Sequence, residues 1–351
     1  MQPKLSWGLI VITYNRAEFL VECLKHTLGQ TCPPSEIVIV DASDYWKETY
    51  EAVLELYADY WENIRLVYEP AKVRSIPYQR NQALDLSQAD IVFSLDDDIY
   101  MLPDAAGIIM DGYEKDVKEE VAIIGGHFIG AHPDEYVDFS ASSEEEVVEK
   151  GGILTRVKRY LEQGLTLESH FVPYGKLVRF IPPPESVQGL GLFPSGLMNG
   201  GRTTFRRRYG VQSRWSTLLR YYATHEDSDF SYRMSHFGLV LVAPSAGFFH
   251  ADGAEDRPDK FKINTIRVRN LMALHRVSSE NRLKSSWRLL KSFLYFTGLY
   301  LLIDPARKRF TLPNVRSYAL GALMIPYFMF FPFRNFTDWY TEHQEKMYRS
   351  R

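Results

Sequence analysis

In the first part of the chain, unbroken apolar runs alternate with segments of helical length, and that alternation leaves few folds open. The runs are Gly8 to Thr13, Glu36 to Asp41, Ile64 to Tyr68 and Ile91 to Leu95. Between them lie Ala17 to Leu28, Trp46 to Tyr60 and Tyr78 to Leu86. A strand with one wet face alternates apolar and polar residues, whereas continuous Val/Ile runs need cover on both faces. Helix-length connections bring each strand back parallel to the last. The pattern predicts an α/β protein with a mostly parallel, Rossmann-like sheet. Ligands of such sheets bind beyond the carboxyl ends of the strands. Thr13, Asn15, Asp41 and the residues after Leu95 collect there.

The fourth run stops in three carboxylates, Asp96, Asp97 and Asp98. In an extended segment alternate side chains share a face, so Asp96 and Asp98 are expected to converge while Asp97 points elsewhere. Carboxylates that close repel one another unless a cation or donors neutralise them. Hard oxygen ligands favour Mg²⁺ or Mn²⁺, and Mg²⁺ is usually held by one or two carboxylates together with substrate phosphates. The competing reading is an acidic surface turn. A second acidic group, His225-Glu226-Asp227-Ser228-Asp229, opens a helical segment that runs to His236. The positive end of a helix dipole favours ionised carboxylates, so one of them is placed to act as a base; ordinary N-capping is the alternative.

Several function classes are excluded. The net charge of −3 over 351 residues gives no field for a general nucleic-acid binder. Two cysteines, Cys23 and Cys32, cannot make a disulfide scaffold, and a reducing cytoplasm is the simplest compartment. Met1 to Ser6 shows no basic-then-apolar leader. The first strand–helix junction reads Thr13-Tyr14-Asn15-Arg16 and carries no dinucleotide-type GxGxxG, nor does the chain contain a phosphate-cradling GxxxxGK[ST].

After a helix from Pro103 and a strand from Val121 to Gly126 the alternation is lost. Residues 130–191 read as an irregular excursion with Glu144 to Glu146 and Pro182-Pro183-Pro184. The pattern resumes with Leu197 to Arg208, a strand Leu239 to Val242, and a short run Gly247 to Phe249 that delivers His250.

In order and spacing, these residues resemble glycosyltransferase family 2, over roughly residues 6 to 275. The matching pieces are the opening strand with its turn Thr13-Tyr14-Asn15-Arg16, the strand-end Asp41, the helix-opening pair Arg80-Asn81, the Asp-x-Asp group Asp96 to Asp98, and Glu226-Asp227 followed by Arg233. The resemblance implies a nucleotide-diphospho-sugar transferase (A-type) fold and a nucleoside-diphosphate sugar of the UDP, dTDP or GDP type as donor. It implies donor contacts from Thr13, Tyr14, Asn15, Arg16, Asp41, Arg80, Asn81, Asp96 and Asp97. Asp98 and His250 are implied as ligands of Mg²⁺ or Mn²⁺, Asn199, Gly200 and Gly201 as part of the acceptor pocket, and Asp227 with Glu226 as the base. Arg267 and Arg269 suit either a phosphate or a solvated basic helix face.

The expected reaction is inverting, metal-dependent transfer of a sugar to a hydroxyl of a glycan or lipid-linked glycan. A metal-dependent nucleotidyltransferase and a non-catalytic scaffold of polysaccharide assembly are the rivals. Residues 1–275 are expected to form the catalytic domain and 276–351 a helical extension. The extension's apolar stretches, Phe293 to Ile303 and Tyr318 to Phe333, fall short of the ~20 residues that a span needs. They are flanked by Arg282, Lys284, Arg288, Lys291 and Arg307-Lys308-Arg309. Two readings stand: peripheral attachment to the anionic cytoplasmic membrane surface, or a packing cap. Pro326 is expected to kink or end the second stretch.

Overall fold

Trp7, Leu9 and Val11 point to one side of the first strand and Ile10 and Ile12 to the other, and both sides are buried. A strand with no wet face demands this. The structure is a computed structural model that describes residues 4–58, 60, 63–130, 132–135, 181–198, 200–221, 223–251, 259–279 and 281–349. The strands are β1 Trp7–Thr13, β2 Glu36–Asp41, β3 Arg65–Pro70, β4 Ile91–Asp96, β5 Ile99–Met101, β6 Val121–Ile129, β7 Phe193–Pro194, β8 Thr203–Arg206 and β9 Leu239–His250. They form one sheet in the order β3-β2-β1-β4-β8-β6-β9-β5, with β7 paired to β9. Neighbours β3, β2, β1 and β4 run parallel, as do β6 and β9, while β8 is antiparallel to both β4 and β6. The sheet is therefore mostly parallel.

Helices α1 Ala17–Leu28, α2 Trp46–Tyr57, α3 Ile76–Leu86 and α4 Ala105–Lys115 cover it. Leu20 and Leu24 of α1 and Ile109 of α4 join Trp7 and Leu9 in one core. Ala83 and Leu84 of α3 lie in the other, with Phe205, Trp215 and Phe230. Trp215 and Phe230 stack there with centroids 4.0 Å apart.

The strand expected as two runs is continuous from Leu239 to His250. Pro244 is tolerated because the β6–β9 register shifts there: Val242 faces Gly125, Gly247 faces His127, and the four β9 residues between them have no register partner on β6.

The later helices are α5 Arg207–Ser213, α6 Glu226–Met234, α7 Lys260–Ser278, α8 Arg282–Ala306, α9 Pro313–Phe330 and α10 Phe336–Arg349. The chain divides into two compact units. The first takes the described residues through 135, 181–215 and 230–251, and the second takes 216–229 and the residues from 259 onward. The division thus differs from a boundary at 275. Residue Asn270 of α7 donates to the Thr224 carbonyl at 3.0 Å and accepts from Tyr340 at 2.6 Å, which ties α7 to the last helices. The start of α9 is capped from a distance, Asn314 N donating to Asp304 Oδ2 at 3.0 Å. Pro326 does not end α9, which continues to Phe330.

Candidate active site

Strand β4 stops at Asp96, and the chain turns through Asp97 and Asp98 into β5. Period-two alternation therefore does not carry across the three carboxylates. The shared partner joins Asp97 with Asp98, not Asp96 with Asp98: one Arg16 nitrogen, Nη1, sits 3.0 Å from Asp97 Oδ1 and 2.9 Å from Asp98 Oδ2. Asp96 turns instead to Arg80, with 2.5 Å between Oδ1 and Nη2.

Asp97 is 4% exposed and accepts from the Thr13 hydroxyl at 2.7 Å. Burial pushes its carboxyl up to about 7, against the pull of Thr13 and Arg16. For Asp98, burial also acts upward, but the hydrogen bond and charge of His250 and the charge of Arg16 prevail and hold it below the ordinary carboxylate range.

Asp98 Oδ1 lies 3.5 Å from His250 Nε2. The backbone fixes this pair, because Ile99 pairs with His250 across β5 and β9, and Ala251 N donates to the Asp98 carbonyl at 2.9 Å. A carboxylate oxygen and an imidazole nitrogen at that spacing suit a divalent cation, whose adjacent ligands stand about 3 Å apart in an octahedral Mg²⁺ or Mn²⁺ shell. Asp98 and His250 would hold such a cation and leave its other positions to phosphate and water.

The turns after β1 and β2 are stitched to each other. Asn15, at φ 52°, takes the left-handed backbone that Asn tolerates; its N–H donates to Ser43 Oγ at 2.7 Å and its Oδ1 accepts from Asp44 N at 3.1 Å. Asp41 is buried, accepting from Ser43 N at 2.6 Å and from the Tyr68 hydroxyl at 2.5 Å. Its carboxylate thus orders the Ser43–Asp44 turn. Arg74 bridges the rim, 2.5 Å from Asp44 Oδ1 and 3.0 Å from the Tyr14 hydroxyl, with its guanidinium over the Tyr14 ring.

Sequence reasoning missed Ser43, Asp44, Tyr68, Arg74 and Gln79. Tyr68 carried a signal, since it faces Ile39 in the β2–β3 register and so shares the side of Asp41. Arg74 lies between β3 and α3 and had none. Gln79 Nε2 donates to the carbonyls of Thr13 and Val40, both at 3.2 Å, and so links the ends of β1 and β2.

The Arg80-Asn81 pair splits, because helical neighbours point in different directions. While Arg80 meets Asp96, Asn81 clamps the Trp215 backbone, donating to its carbonyl and accepting from its N–H, both at 2.9 Å. Asn81 thus has a structural partner in the Trp215 backbone. Asn199 lies outside the described residues. Gly201 has φ 82°, and a Cβ there would come within 3.1 Å of Asp96 Oδ2 and of Ile99, so the open space beside Asp96 depends on glycine.

In the second unit, His225 (φ 73°) precedes the first turn of α6, where Glu226, Asp227 and Asp229 stand. Asp227 Oδ1 accepts from Ser228 N at 2.7 Å. Burial, then the charge of Arg267, lowers His225 to about 4. Helix α7 is not a solvated basic face: Arg269 is half-buried, 3.1 Å from His343 Nε2. Farther along α6, Arg233 donates to the Ser213 carbonyl.

Fold and sequence comparisons agree on the glycosyltransferase class. Residues 9–171, a little under half of the chain, match the model of glycosyl transferase family 2. The chain is 27% identical over 110 residues to a chondroitin synthase of Escherichia coli, an alignment that takes in 31% of this chain and 16% of that protein. In fold it is similar to the mannosyltransferase PcManGT of Pyrobaculum calidifontis, solved with GDP-Man and Mn²⁺. The TM-score there is 0.54 at 15% identity, over 92% of this chain and 88% of that one. It is also similar to GalNAc-T7, solved with UDP, GalNAc and Mn²⁺, with a TM-score of 0.53 at 13% identity, over 95% of this chain and 60% of that one.

Proposed function

We propose that the protein is an inverting glycosyltransferase that uses Mg²⁺ or Mn²⁺ to move a sugar from a nucleoside-diphosphate sugar to a hydroxyl of a glycan or lipid-linked glycan. The observation that carries this reading is the Asp98–His250 pair at the strand ends of a glycosyltransferase domain. GDP-Man in one solved structure of similar fold, UDP with GalNAc in another, and Mn²⁺ in both support it, and favour sugar transfer over nucleotidyl transfer. Asp98 and His250 hold the cation, which when bound offsets charge on the leaving diphosphate. Thr13 to Arg16, Asp96 and Arg80 line the donor, with Asp97 anchoring Thr13 and Arg16, and Gly200 and Gly201 border the sugar. The acceptor oxygen attacks the anomeric carbon as the bond to the diphosphate oxygen breaks. Its proton passes to Asp227, and direct displacement inverts the carbon.

A screen of UDP-, dTDP- and GDP-sugars with Mn²⁺ and lipid-linked acceptors, read as nucleoside-diphosphate release, tests this. One donor should turn over with acceptor and metal present, and its product should carry the inverted anomeric configuration. Release of pyrophosphate instead would point to nucleotidyl transfer.

The second unit supports attachment to a membrane surface. Among the described residues no helix is long and apolar enough to cross a membrane. Yet Leu283, Trp287, Leu294 and Leu301 form one exposed stripe on α8, and Leu320, Leu323, Tyr327 and Phe330 another on α9. Arg282, Lys284, Arg288, Arg307 and Lys308 are exposed around them. Apolar stripes with basic flanks suit an anionic leaflet, which supports a peripheral position on the cytoplasmic face of the membrane, within reach of a lipid-linked acceptor.

A further inference from the structure

Glu22 and His26 stand four residues apart on α1, which puts both on one face of the helix. His132 and Asp134 come to the same place from the segment that follows β6. One donor atom from each of the four lies within 4.8 Å of the others. Glu22 Oε1 is 3.5 Å from His26 Nε2, His132 Nδ1 is 3.6 Å from Asp134 Oδ2, and the two imidazole rings meet edge to face at 5.3 Å.

A second observation points to a missing ligand. His26 Nε2 is buried with no hydrogen-bond partner, a costly state for an imidazole nitrogen unless another group binds it. The surroundings restrain the group. Lys25 pairs with the other Glu22 oxygen at 2.9 Å, Tyr100 stacks on His26 at 5.3 Å, and Phe249 meets His132 edge-on at 5.2 Å.

We propose that Glu22, His26, His132 and Asp134 form a second divalent-cation site that takes Zn²⁺ or a cation of the same borderline class. Two imidazoles and two carboxylates match zinc's preference, whereas Mg²⁺ and Ca²⁺ favour oxygen alone. Ligands 2.0–2.1 Å from a tetrahedral zinc lie about 3.4 Å apart, close to the two spacings above. Four protein ligands close the shell, so the ion acts as a staple that ties the chain after β6 to α1. The set shares no residue with Asp98 and His250.

Calorimetric titration of the full, metal-free chain with Zn²⁺ decides the matter, in the wild type, in Asp98→Asn and in a His26→Gln, His132→Gln double variant. Asp98→Asn should bind one zinc as tightly as the wild-type staple does, and its melting temperature should rise on binding. The double variant should weaken this site by more than the about 10- to 100-fold that loss of a mere supporting partner costs. Asp134→Asn, whose side chain is largely exposed, guards against misfolding: its metal-free melting should match the wild type while its zinc affinity falls. Failure of Asp98→Asn to take up a stoichiometric zinc, or undiminished zinc binding in a folded Asp134→Asn or double variant, would overturn the proposal. Because Asp98→Asn removes only the first site, either result is separable from the outcome for the transferase reading.

Discussion

His250 Nε2 faces Asp98 Oδ1 at 3.5 Å because the backbones of β5 and β9 bring them together. The sheet preplaces the two groups. Changing one of them should therefore remove a ligand without collapsing the corner, and effects on chemistry and on folding become separable at this site.

The two members of the Arg80-Asn81 pair should respond differently to substitution. Asn81→Ala removes both hydrogen bonds to the Trp215 backbone in a buried setting, and should lower stability by about 2–4 kcal/mol. Thermal melting without ligand checks this. An unchanged melting curve with a raised donor KM would return Asn81 to the donor site.

Asp227→Asn should leave donor affinity nearly intact and lower transfer by about 10²- to 10⁴-fold, the contribution of a general base. Donor binding by calorimetry and turnover on the true acceptor are measured together. Near-normal turnover would move the base to Glu226 or Asp229.

Burial lowers three histidines of the second unit, His225, His275 and His343, to about 4, with Arg267 acting on the first, Arg288 on the second and Arg269 on the third. An unfolded histidine titrates near ~6.5, so between that value and 4 the unfolded chain binds more protons. Stability from these groups is full above pH 6.5 and declines as pH falls through the window. For each such group the slope reaches at most about 1.4 kcal/mol per pH unit. Melting temperatures between pH 7 and 5 should fall, and His275→Gln should flatten the decline. A pH-independent melt over that range would contradict the burial of neutral imidazoles.

Full-length protein should sediment with anionic vesicles and release at high salt, each basic residue near the surface contributing ~1 kcal/mol. Leu283 and Leu323 are 74% and 78% exposed, so Leu283→Glu with Leu323→Glu should weaken vesicle binding without disturbing the core. Equal sedimentation of wild type and double variant would make the apolar stripes a packing feature.

The parallel strands were legible because β-branched runs with no polar alternation admit one arrangement, and the strand-end carboxylates followed from it. What failed did so where a partner is distant or a period breaks. The Asp96–Asp98 alternation was lost because β4 stops at Asp96, and Pro244 hid the continuity of β9 because the bulge that excuses it belongs to β6 as much as to β9. The hold of Asn81 on the Trp215 backbone was hidden, since nothing near it in sequence announces Trp215. Likewise, Glu22 and His26 gave no sign of a site, because His132 and Asp134 reach them only through the fold.

Titration of UDP, dTDP and GDP into the wild type and into Asp98→Asn, each with and without Mn²⁺, tests the central claim most directly. One nucleotide should bind the wild type only when Mn²⁺ is present, and Asp98→Asn should lose that binding while melting as the wild type does. Undiminished, Mn²⁺-dependent nucleotide affinity in the folded variant would contradict the assignment of Asp98 and His250 as the cation's ligands.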